Sequence, residues 1–282
     1  MLRVQGITKH YPTFLLDAVS FHLEPGYIMG FIGRNGAGKT TTLKSLLNLV
    51  QPDAGQVTVL GRDYYTNEFW CKQQLGVVLG EFDYYNDKKL RQITDVTRRF
   101  YSQWDEAQYR TYLNLFALDE NKRVKELSAG MRVKYALALA LSHQAKLLIL
   151  DEPTSGLDPV SRDELLQLFQ RIVEDGEHSI LFSTHITSDL EKCADFITYI
   201  RNGKILDSCD RETFLQQYRL VQGKHSQLTP ELMGLLLGHQ KNAFGFSGLI
   251  RTCDLPKLPE PLQTAPADLE SIMIFREKEV GQ

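Results

Sequence analysis

The residues best suited to chemistry form one glycine-rich run, Gly33-Arg34-Asn35-Gly36-Ala37-Gly38-Lys39-Thr40. The run fits the pattern G-x-x-x-x-G-K-[ST], in which glycines let successive backbone N–H groups turn inward around phosphates. Lys39 would bring a positive charge to the β- and γ-phosphates, and the Thr40 hydroxyl would bind Mg²⁺. We expect this run, together with Thr41, to bind a nucleoside triphosphate rather than to be a chance glycine turn.

A pair of acids supplies the second candidate group. The apolar run from Leu147 to Leu150 predicts a buried strand, and Asp151 and Glu152 follow it directly. We expect Asp151 to hold Mg²⁺ and Glu152 to polarise the attacking water. Acids are also typical of helix N-termini, which is the structural alternative. The phosphate-binding run elsewhere in the chain favours the catalytic interpretation.

The sequence around both motifs alternates between strand and helix patterns. A strand from Tyr27 to Ile32 precedes the glycine-rich run, and a helix from Lys39 to Val50 follows it. Further elements are predicted as strands at residues 18–23, 55–60, 75–79, 146–150 and 179–182 and as a helix at residues 159–174. This alternation predicts an α/β fold with a parallel sheet, helices on both of its faces and the ligand beyond the carboxyl ends of its strands. The glycine-rich run identifies the predicted fold as one of the P-loop NTPase type.

Composition and charge exclude several classes of protein. The chain has 282 residues, a net charge of −3 and 43% hydrophobic residues, which is typical of a soluble globular protein. No clustered basic surface is visible, so we expect no nucleic-acid partner. No apolar run approaches the ~20 residues needed to cross a bilayer. The N-terminus also lacks the pattern of a secretory signal, so we expect a cytoplasmic chain without a membrane span.

The character of the sequence changes twice along the chain. Charged and aromatic residues at helical spacing predict a helical subdomain over about residues 87–143. Towards the end of the chain a short helix is predicted around Leu232 to Leu237, followed by a cluster of prolines. We assign residues 1–222 to a nucleotide-binding domain and residues 223–282 to a C-terminal extension.

Three further motifs resemble those of ATP-binding-cassette (ABC) proteins. Leu127-Ser128-Ala129-Gly130-Met131 is similar to the signature sequence of that family, LSGGQ, and Ser128 lies 23 residues before Asp151. Ser155-Gly156-Leu157-Asp158 resembles the family's D-loop, and His185 in Ser183-Thr184-His185 resembles its switch histidine. Together with the two motifs above, the resemblance covers about residues 1–220.

The resemblance implies a RecA-like core with a helical subdomain and a small antiparallel β subdomain. In that family two cassettes meet head to tail. Each ATP lies between the phosphate loop of one chain, here the glycine-rich run at residues 33–40, and the signature helix of the other chain, here the helix that begins at the signature sequence. Ser128 and Gly130 would then contact the γ-phosphate of the partner's ATP. ATP and Mg²⁺ are the implied cofactors, and Lys39, Glu152 and His185 are the implied catalytic residues. One chain holds half of each site, so a sister cassette or an identical copy is required, and we expect a homodimer.

The resemblance also implies that the chain acts together with a membrane protein. Gly30-Phe31-Ile32-Gly33, the signature run and Thr40-Thr41-Thr42 look most like the corresponding runs of exporters of drugs, peptides or lipids. We expect an ATPase subunit that powers export through a separate polytopic permease at the inner face of the cell membrane. The alternatives are a soluble cassette ATPase, which would need long insertions or a second cassette, and a non-hydrolysing regulatory module, which would be expected to lack Glu152 or His185.

Two positions near the expected nucleotide keep two interpretations each. Tyr11 lies 22 residues before Gly33, where the family places an aromatic residue that stacks on adenine, but Tyr11 and Phe14 are also suited to packing beside a strand. The family's glutamine at the end of the strand at residues 75–79 is replaced here by Gly80, which Glu81 follows. Either Glu81 stands in for that glutamine through a water molecule, or water replaces the contact altogether.

Two further segments of the chain also keep two interpretations each. Phe82, Tyr84 and Tyr85 lie where the family docks a short helix of its membrane subunit, although aromatic residues there could equally cap the local core. Residues 223–282 resemble, loosely, the C-terminal extension of export-type cassettes. A dimer-stabilising or regulatory role and a passive tail are both consistent with that resemblance.

Overall fold

A computed structural model describes residues 1–79, 85–258 and 262–278 of the chain. The chain divides into two compact units, Met1–Asp207 and Ser208–Gln282. This division falls before the predicted domain boundary at residues 222 and 223. The reason is that the strand Tyr218–Gly223 pairs on both of its edges with other strands of the second unit.

Within its described residues, the first unit contains two sheets, seven α-helices and two short 3₁₀ helices, Arg98–Phe100 and Val124–Glu126. Its strands and α-helices in chain order are β1 (Leu2–Tyr11), β2 (Phe14–Leu23), β3 (Ile28–Ile32), α1 (Lys39–Leu46), β4 (Ala54–Val59), β5 (Arg62–Asp63), α2 (Glu68–Gln73), β6 (Leu75–Leu79), α3 (Leu90–Thr97), α4 (Glu106–Leu115), α5 (Ala129–Ser142), β7 (Leu147–Asp151), α6 (Pro159–Val173), β8 (Ser179–Thr184), α7 (Thr187–Cys193), β9 (Phe196–Arg201) and β10 (Lys204–Asp210), whose last three residues belong to the second unit. The predicted helices and strands before residue 200 are all present, with ends that differ by a few residues.

The larger sheet has the strand order β10-β9-β3-β8-β7-β6. Five of its strands pair in parallel, and every residue of β3, β7 and β8 is buried, as expected for strands covered on both faces. In the register, Asp151 lies opposite both Leu79 and Ser183, and Ile32 lies opposite Thr184. The carboxyl ends of these strands therefore reach one edge of the sheet, and the predicted α/β fold is confirmed.

The smaller sheet is antiparallel and has the order β2-β1-β4-β5. Its inward side chains join the core of the first unit, where Val4, Leu16 and Val57 pack in one cluster with Phe31 and Leu43. The strand β1 was not predicted from the sequence. The physical reason is that the pairing of β1 with β2 shifts register twice, which interrupts the alternation of buried and exposed residues along β1.

The predicted helical subdomain contains α3, α4 and α5. A buried hydroxyl network ties these helices together: the Thr94 hydroxyl lies 2.8 Å from Tyr109 Oη and 2.9 Å from Tyr135 Oη. Tyr135 Oη also donates a hydrogen bond of 2.9 Å to the Leu90 carbonyl at the start of α3. Because each buried hydroxyl has a partner, the network fixes the three helices without leaving a polar group unsatisfied.

The second unit is a small α+β module. Its elements are α8 (Arg211–Gln216), β11 (Tyr218–Gly223), α9 (Pro230–Leu235), β12 (Gly238–Asn242), β13 (Gly245–Arg251), β14 (Gln263–Pro266) and α10 (Leu269–Lys278). The strands form an antiparallel sheet in the order β12-β13-β11-β14, around a core of Val221, Leu232, Phe246 and Ile250. The helix expected around Leu232 to Leu237 is α9, but the sheet was not predicted. No helix of the described residues has the length and hydropathy needed to cross a bilayer.

Candidate functional site

The glycine-rich run connects β3 to α1, the position that its motif requires. Gly36 and Gly38 have φ angles of 81° and 112°, a region of backbone conformation that favours glycine. Lys39, the first residue of α1, is only 5% exposed, and its Nζ donates a hydrogen bond of 2.7 Å to the Gly33 carbonyl. Ala37 is buried, and its N–H donates to the Arg34 carbonyl. The loop thus wraps around a cation at the N-terminus of a helix, which is a favourable arrangement for phosphates.

Asp151 and Thr40 meet at the carboxyl edge of the larger sheet. Asp151 is the last residue of β7, and the hydroxyl of Thr40 on α1 donates a hydrogen bond of 2.8 Å to Asp151 Oδ2. The Ser183 hydroxyl on β8 donates to Asp151 Oδ1 and so fixes the carboxylate from the other side. Ser183 was noted in the sequence beside His185 but was given no role. Its position opposite Asp151 in the register is what reveals the contact.

Glu152 contacts both of the other predicted catalytic residues. Glu152 Oε1 lies 3.3 Å from Lys39 Nζ, and Glu152 Oε2 lies 2.8 Å from His185 Nδ1. The backbone of Glu152 is left-handed, with a φ of 50°, which costs a non-glycine residue about 1–2 kcal/mol. Its N–H donates to the Ser183 hydroxyl at 3.0 Å, which helps to hold that conformation. Strained backbone of this kind clusters at functional sites.

A cavity of about 810 Å³ opens over the loop. Nine predicted site residues line it: Tyr11, Arg34, Asn35, Gly36, Gly38, Lys39, Thr40, Thr41 and Glu152. Phe14, Lys44 and Val50 also line it, and none of these three was predicted to contact the ligand. Lys44 could have been found from the sequence, because a residue four positions after Thr40 on a helix lies on the same face.

Tyr11 and Phe14 have different environments, although they face each other across the β1–β2 turn. Tyr11 is 40% exposed, and its ring centroid lies 6.4 Å from that of Phe14. A Cβ added to Gly38 would lie 2.9 Å from the tip of the Phe14 ring, so Phe14 packs closely on the phosphate loop. The packing role therefore suits Phe14, while Tyr11 offers an exposed ring at the same cavity.

The signature residues Ser128, Ala129, Gly130 and Met131 form the start of α5. Ser128 is the N-cap of this helix, and its hydroxyl accepts a hydrogen bond of 3.2 Å from the Met131 N–H. Gly130 is buried, with room for a Cβ 3.5 Å from the Leu157 side chain. None of the four is among the described residues that line the 810 Å³ cavity. The phosphate loop and the signature helix of one chain therefore do not share that cavity.

The D-loop segment, Ser155, Gly156, Leu157 and Asp158, joins β7 to α6. Gly156 is left-handed with a φ of 71°, and Leu157 is buried. Asp158 is the N-cap of α6 and accepts hydrogen bonds of 3.0 Å from the N–H groups of Val160 and Ser161. Hydrogen bonds from Ser161 and Val160 hold the pKa of the Asp158 carboxyl below its usual range. Asp158 thus has a structural role in starting α6.

Four predicted positions, Gly80, Glu81, Phe82 and Tyr84, lie outside the described residues. Tyr85 is described and is 69% exposed. It borders a second cavity of about 310 Å³ along α3, which Lys88, Ile93 and Val96 also line. Val96 is 55% exposed, so this groove presents apolar surface to solvent.

The chain is similar to one known protein family and to several known proteins. The family model described as ABC transporter matches residues 16–155. The bacitracin transport ATP-binding protein BcrA of Bacillus licheniformis is 31% identical over 210 residues, which cover 73% of this chain and 69% of that protein. The lantibiotic transport ATP-binding protein SrtF of Streptococcus pyogenes is 32% identical over 73% of this chain and 89% of its own length. The Nod factor export ATP-binding protein I of Burkholderia pseudomallei is 36% identical over 71% of this chain and 67% of its own length.

Solved structures show the same fold. The ATP-binding subunit of an ABC transporter aligns with a TM-score of 0.69 at 26% identity, covering 77% of this chain and 92% of that chain. A dimeric ATP-binding cassette in a post-hydrolysis state, bound to ADP and Pi, aligns with a TM-score of 0.64 at 20% identity over 74% of this chain and 98% of that chain. The second similarity is one of fold alone.

Proposed function

The chain belongs to the ABC transporter family as an ATP-binding subunit, and we propose that two copies close around two ATP molecules to drive export through a separate membrane permease. Members of the family are ATPases whose hydrolysis is coupled to transport, and this chain is one of them. The observation that carries the proposal is the contact of Glu152 with both Lys39 and His185 beside the cavity over the phosphate loop.

Nucleotide binding rests on the loop, on Lys39 and on the aromatic ring at the cavity. Inward backbone N–H groups and the Lys39 ammonium group would bind the β- and γ-phosphates. The exposed ring of Tyr11 would stack on adenine, and Lys44 adds a further positive charge at the cavity. In this proposal Arg34, Asn35 and Thr41 also bind ATP, as part of the wall of the cavity.

The residues at the carboxyl edge fit Mg²⁺. The Thr40 hydroxyl and Asp151 Oδ2 lie 2.8 Å apart, and oxygen atoms of this kind are the ligands that Mg²⁺ prefers. When bound with ATP, the ion would neutralise charge on the phosphates. Ser183 orients the Asp151 carboxylate from the other side, so the carboxylate does not depend on the ion for its position.

Hydrolysis is assigned to Glu152, with His185 and Lys39 as its partners. Glu152 accepts a proton from the attacking water, which needs a carboxylate within hydrogen-bond reach of that water. His185 Nδ1 lies 2.8 Å from Glu152 Oε2, so His185 orients the carboxylate. In the closed dimer His185 would also contact the γ-phosphate. Lys39 stabilises the charge that develops on the phosphate as the bond to the leaving group breaks.

A second chain completes the site in this proposal. Ser128 and Gly130 begin a helix whose N-terminal N–H groups would suit a phosphate, yet they do not line the cavity of their own chain among the described residues. Two copies placed head to tail would bring each signature helix to the other chain's γ-phosphate. ATP would then join two surfaces that ADP cannot hold together, so the dimer would close when ATP binds and open after hydrolysis. This motion would transmit force to the permease.

The permease and the direction of transport are proposed from the relatives and from one surface. The names of the relatives, bacitracin transport, lantibiotic transport and Nod factor export, support export of a peptide, drug or lipid-like substrate. The apolar groove beside Tyr85 and Val96 would receive a segment of the permease. The subunit would then lie on the cytoplasmic face of the membrane through that contact.

A variant that binds ATP without cleaving it tests the proposal. Glu152→Gln should bind ATP as the wild type does, because the phosphate loop is untouched, and should sediment as a dimer with Mg²⁺ and ATP but as a monomer with ADP. Lys39→Ala is the control, since it should weaken nucleotide binding and stay monomeric. A Glu152→Gln protein that remains monomeric with ATP, or that hydrolyses ATP at the wild-type rate, would overturn the proposal.

A further inference from the structure

A buried hydrogen bond joins the two segments that carry Glu152 and His185. The Thr154 hydroxyl donates a hydrogen bond of 2.6 Å to Asp189 Oδ2, and the two residues are 0% and 1% exposed. Thr154 follows Glu152 by two residues, and Asp189 follows His185 by four. The bond therefore constrains the distance between the turn that holds Glu152 and the helix that follows His185.

Arg162 extends this cluster to the D-loop segment. Arg162 lies on α6, and its Nη2 donates a long hydrogen bond of 3.4 Å to the Leu157 carbonyl. Its Nε lies 4.0 Å from Asp189 Oδ1. Thr154 immediately precedes the D-loop segment and Leu157 lies within it, so Asp189 and Arg162 hold that segment near both of its ends.

This buried polar cluster stabilises the fold less than apolar side chains in the same place would. Burial raises the pKa of the Asp189 carboxyl, which shows that the protein around it disfavours its charge. Asp189 Oδ1 and Arg162 Nε also make no hydrogen bond within the described residues. Their separation of 4.0 Å leaves the pair short of a direct hydrogen bond, so the cluster gives up stability that an apolar core would retain.

We propose that Asp189 is a positioning residue for ATP hydrolysis, which holds the D-loop segment in register with the Glu152–His185 pair through Thr154 and Arg162. The inference rests on the proposed function, in which that pair acts on the γ-phosphate. Neither Thr154 nor Asp189 lines the described wall of the nucleotide cavity, so their loss should leave ATP binding intact. The effect should appear in kcat, because a small displacement of catalytic groups slows the chemical step.

Two variants of Thr154 separate positioning from packing. Thr154→Val removes the hydroxyl and should lower kcat about tenfold with an unchanged KM for ATP, since one hydrogen bond to a charged group is lost. Thr154→Ser keeps the hydroxyl and should restore kcat to within about twofold of the wild type. Thr198→Val is the matched control: Thr198 lies in β9 and is as fully buried as Thr154, so this change should leave kcat unchanged.

Asp189→Asn gives a second measurement at the other end of the bond. Its amide oxygen still accepts from Thr154, but the charge facing Arg162 is lost, so kcat should fall by less than in Thr154→Val. Melting temperatures of all variants report the purely structural effect. If Thr154→Val keeps the wild-type kcat, or if kcat follows melting temperature equally in Thr154→Val and Thr198→Val, the inference is wrong. If Glu152→Gln itself hydrolyses ATP normally, the proposed function fails instead.

Discussion

His185 Nδ1 lies 2.8 Å from Glu152 Oε2, although the two residues are 33 positions apart in the chain. Glu152 follows β7 and His185 follows β8, and these neighbouring parallel strands end at the same edge of the sheet. The contact is therefore a direct product of sheet register. It places His185 against the proposed base, Glu152, which itself lines the cavity over the phosphate loop.

Replacing His185 should slow hydrolysis while leaving nucleotide binding intact. His185→Ala removes the partner that orients Glu152 Oε2, so kcat should fall by up to about 10²- to 10⁴-fold, the usual contribution of the general base that it positions. The KM for ATP should change little, because His185 does not line the described wall of the cavity. Steady-state ATPase assays measure both values. Wild-type turnover in His185→Ala would contradict the role given to this contact.

Tyr11 should contribute to affinity rather than to turnover. A base stacked on an aromatic ring gains ~1–3 kcal/mol, so Tyr11→Ala should raise the KM for ATP by about 5- to 150-fold at an unchanged kcat. Tyr11→Phe keeps the ring and should behave as the wild type. Tyr27 is 43% exposed, close to the 40% of Tyr11, but lies outside the described cavity wall, so Tyr27→Ala is the control. An unchanged KM in Tyr11→Ala would show that this ring only packs.

His143 should make the folded state sensitive to acid. It caps the end of α5, its ring stacks on Tyr101 with centroids 3.6 Å apart, and burial lowers its pKa from 6.5 to about 4. The folded state keeps His143 neutral while the unfolded chain takes up a proton below pH 6.5. This contribution to stability is complete above that pH and is lost as the pH falls towards 4.

The variant His143→Phe tests this expectation because it keeps an aromatic ring but cannot be protonated. Urea unfolding gives the free energy of unfolding of both proteins at neutral and acidic pH. The wild type should lose about 2 kcal/mol more than His143→Phe between about pH 7 and about pH 4.5. Equal losses in the two proteins would show that His143 does not contribute to the acid sensitivity.

The motifs with fixed local geometry could be predicted from the sequence. The glycine-rich run needs a strand before it and a helix after it, and both patterns are visible around Gly33 and Lys39. Asp151 and Glu152 follow a fully buried strand, which periodicity also reveals. These parts of the site depend on short stretches of chain, so their placement could be inferred without coordinates.

Other parts depend on contacts that no local pattern encodes. The C-terminal sheet was missed because β14 is exposed at every position and β12 has one buried residue, so neither strand shows hydrophobic alternation. The register shifts in β1 hid that strand in the same way. The bond between Thr154 and Asp189 joins residues 35 positions apart and appears only once β7 and β8 are in register.

Mixing two inactive variants tests most directly whether two chains share each ATP site. Lys39→Ala disables a phosphate loop and Ser128→Arg disables a signature helix, so each variant alone should be inactive. A mixed dimer should contain one intact site, formed by the phosphate loop of the Ser128→Arg chain and the signature helix of the Lys39→Ala chain. Mixing Lys39→Ala with Glu152→Gln is the control, because both changes disable the phosphate-loop side and no intact site forms.

The measurement is the ATPase rate of each mixture against the summed rates of its separate variants. We expect the mixture of Lys39→Ala and Ser128→Arg to regain activity well above that sum, while the control mixture does not. A mixture of Lys39→Ala and Ser128→Arg that is no more active than its parts would contradict the account, and a Ser128→Arg protein that cleaves ATP by itself would show that one chain forms the whole site.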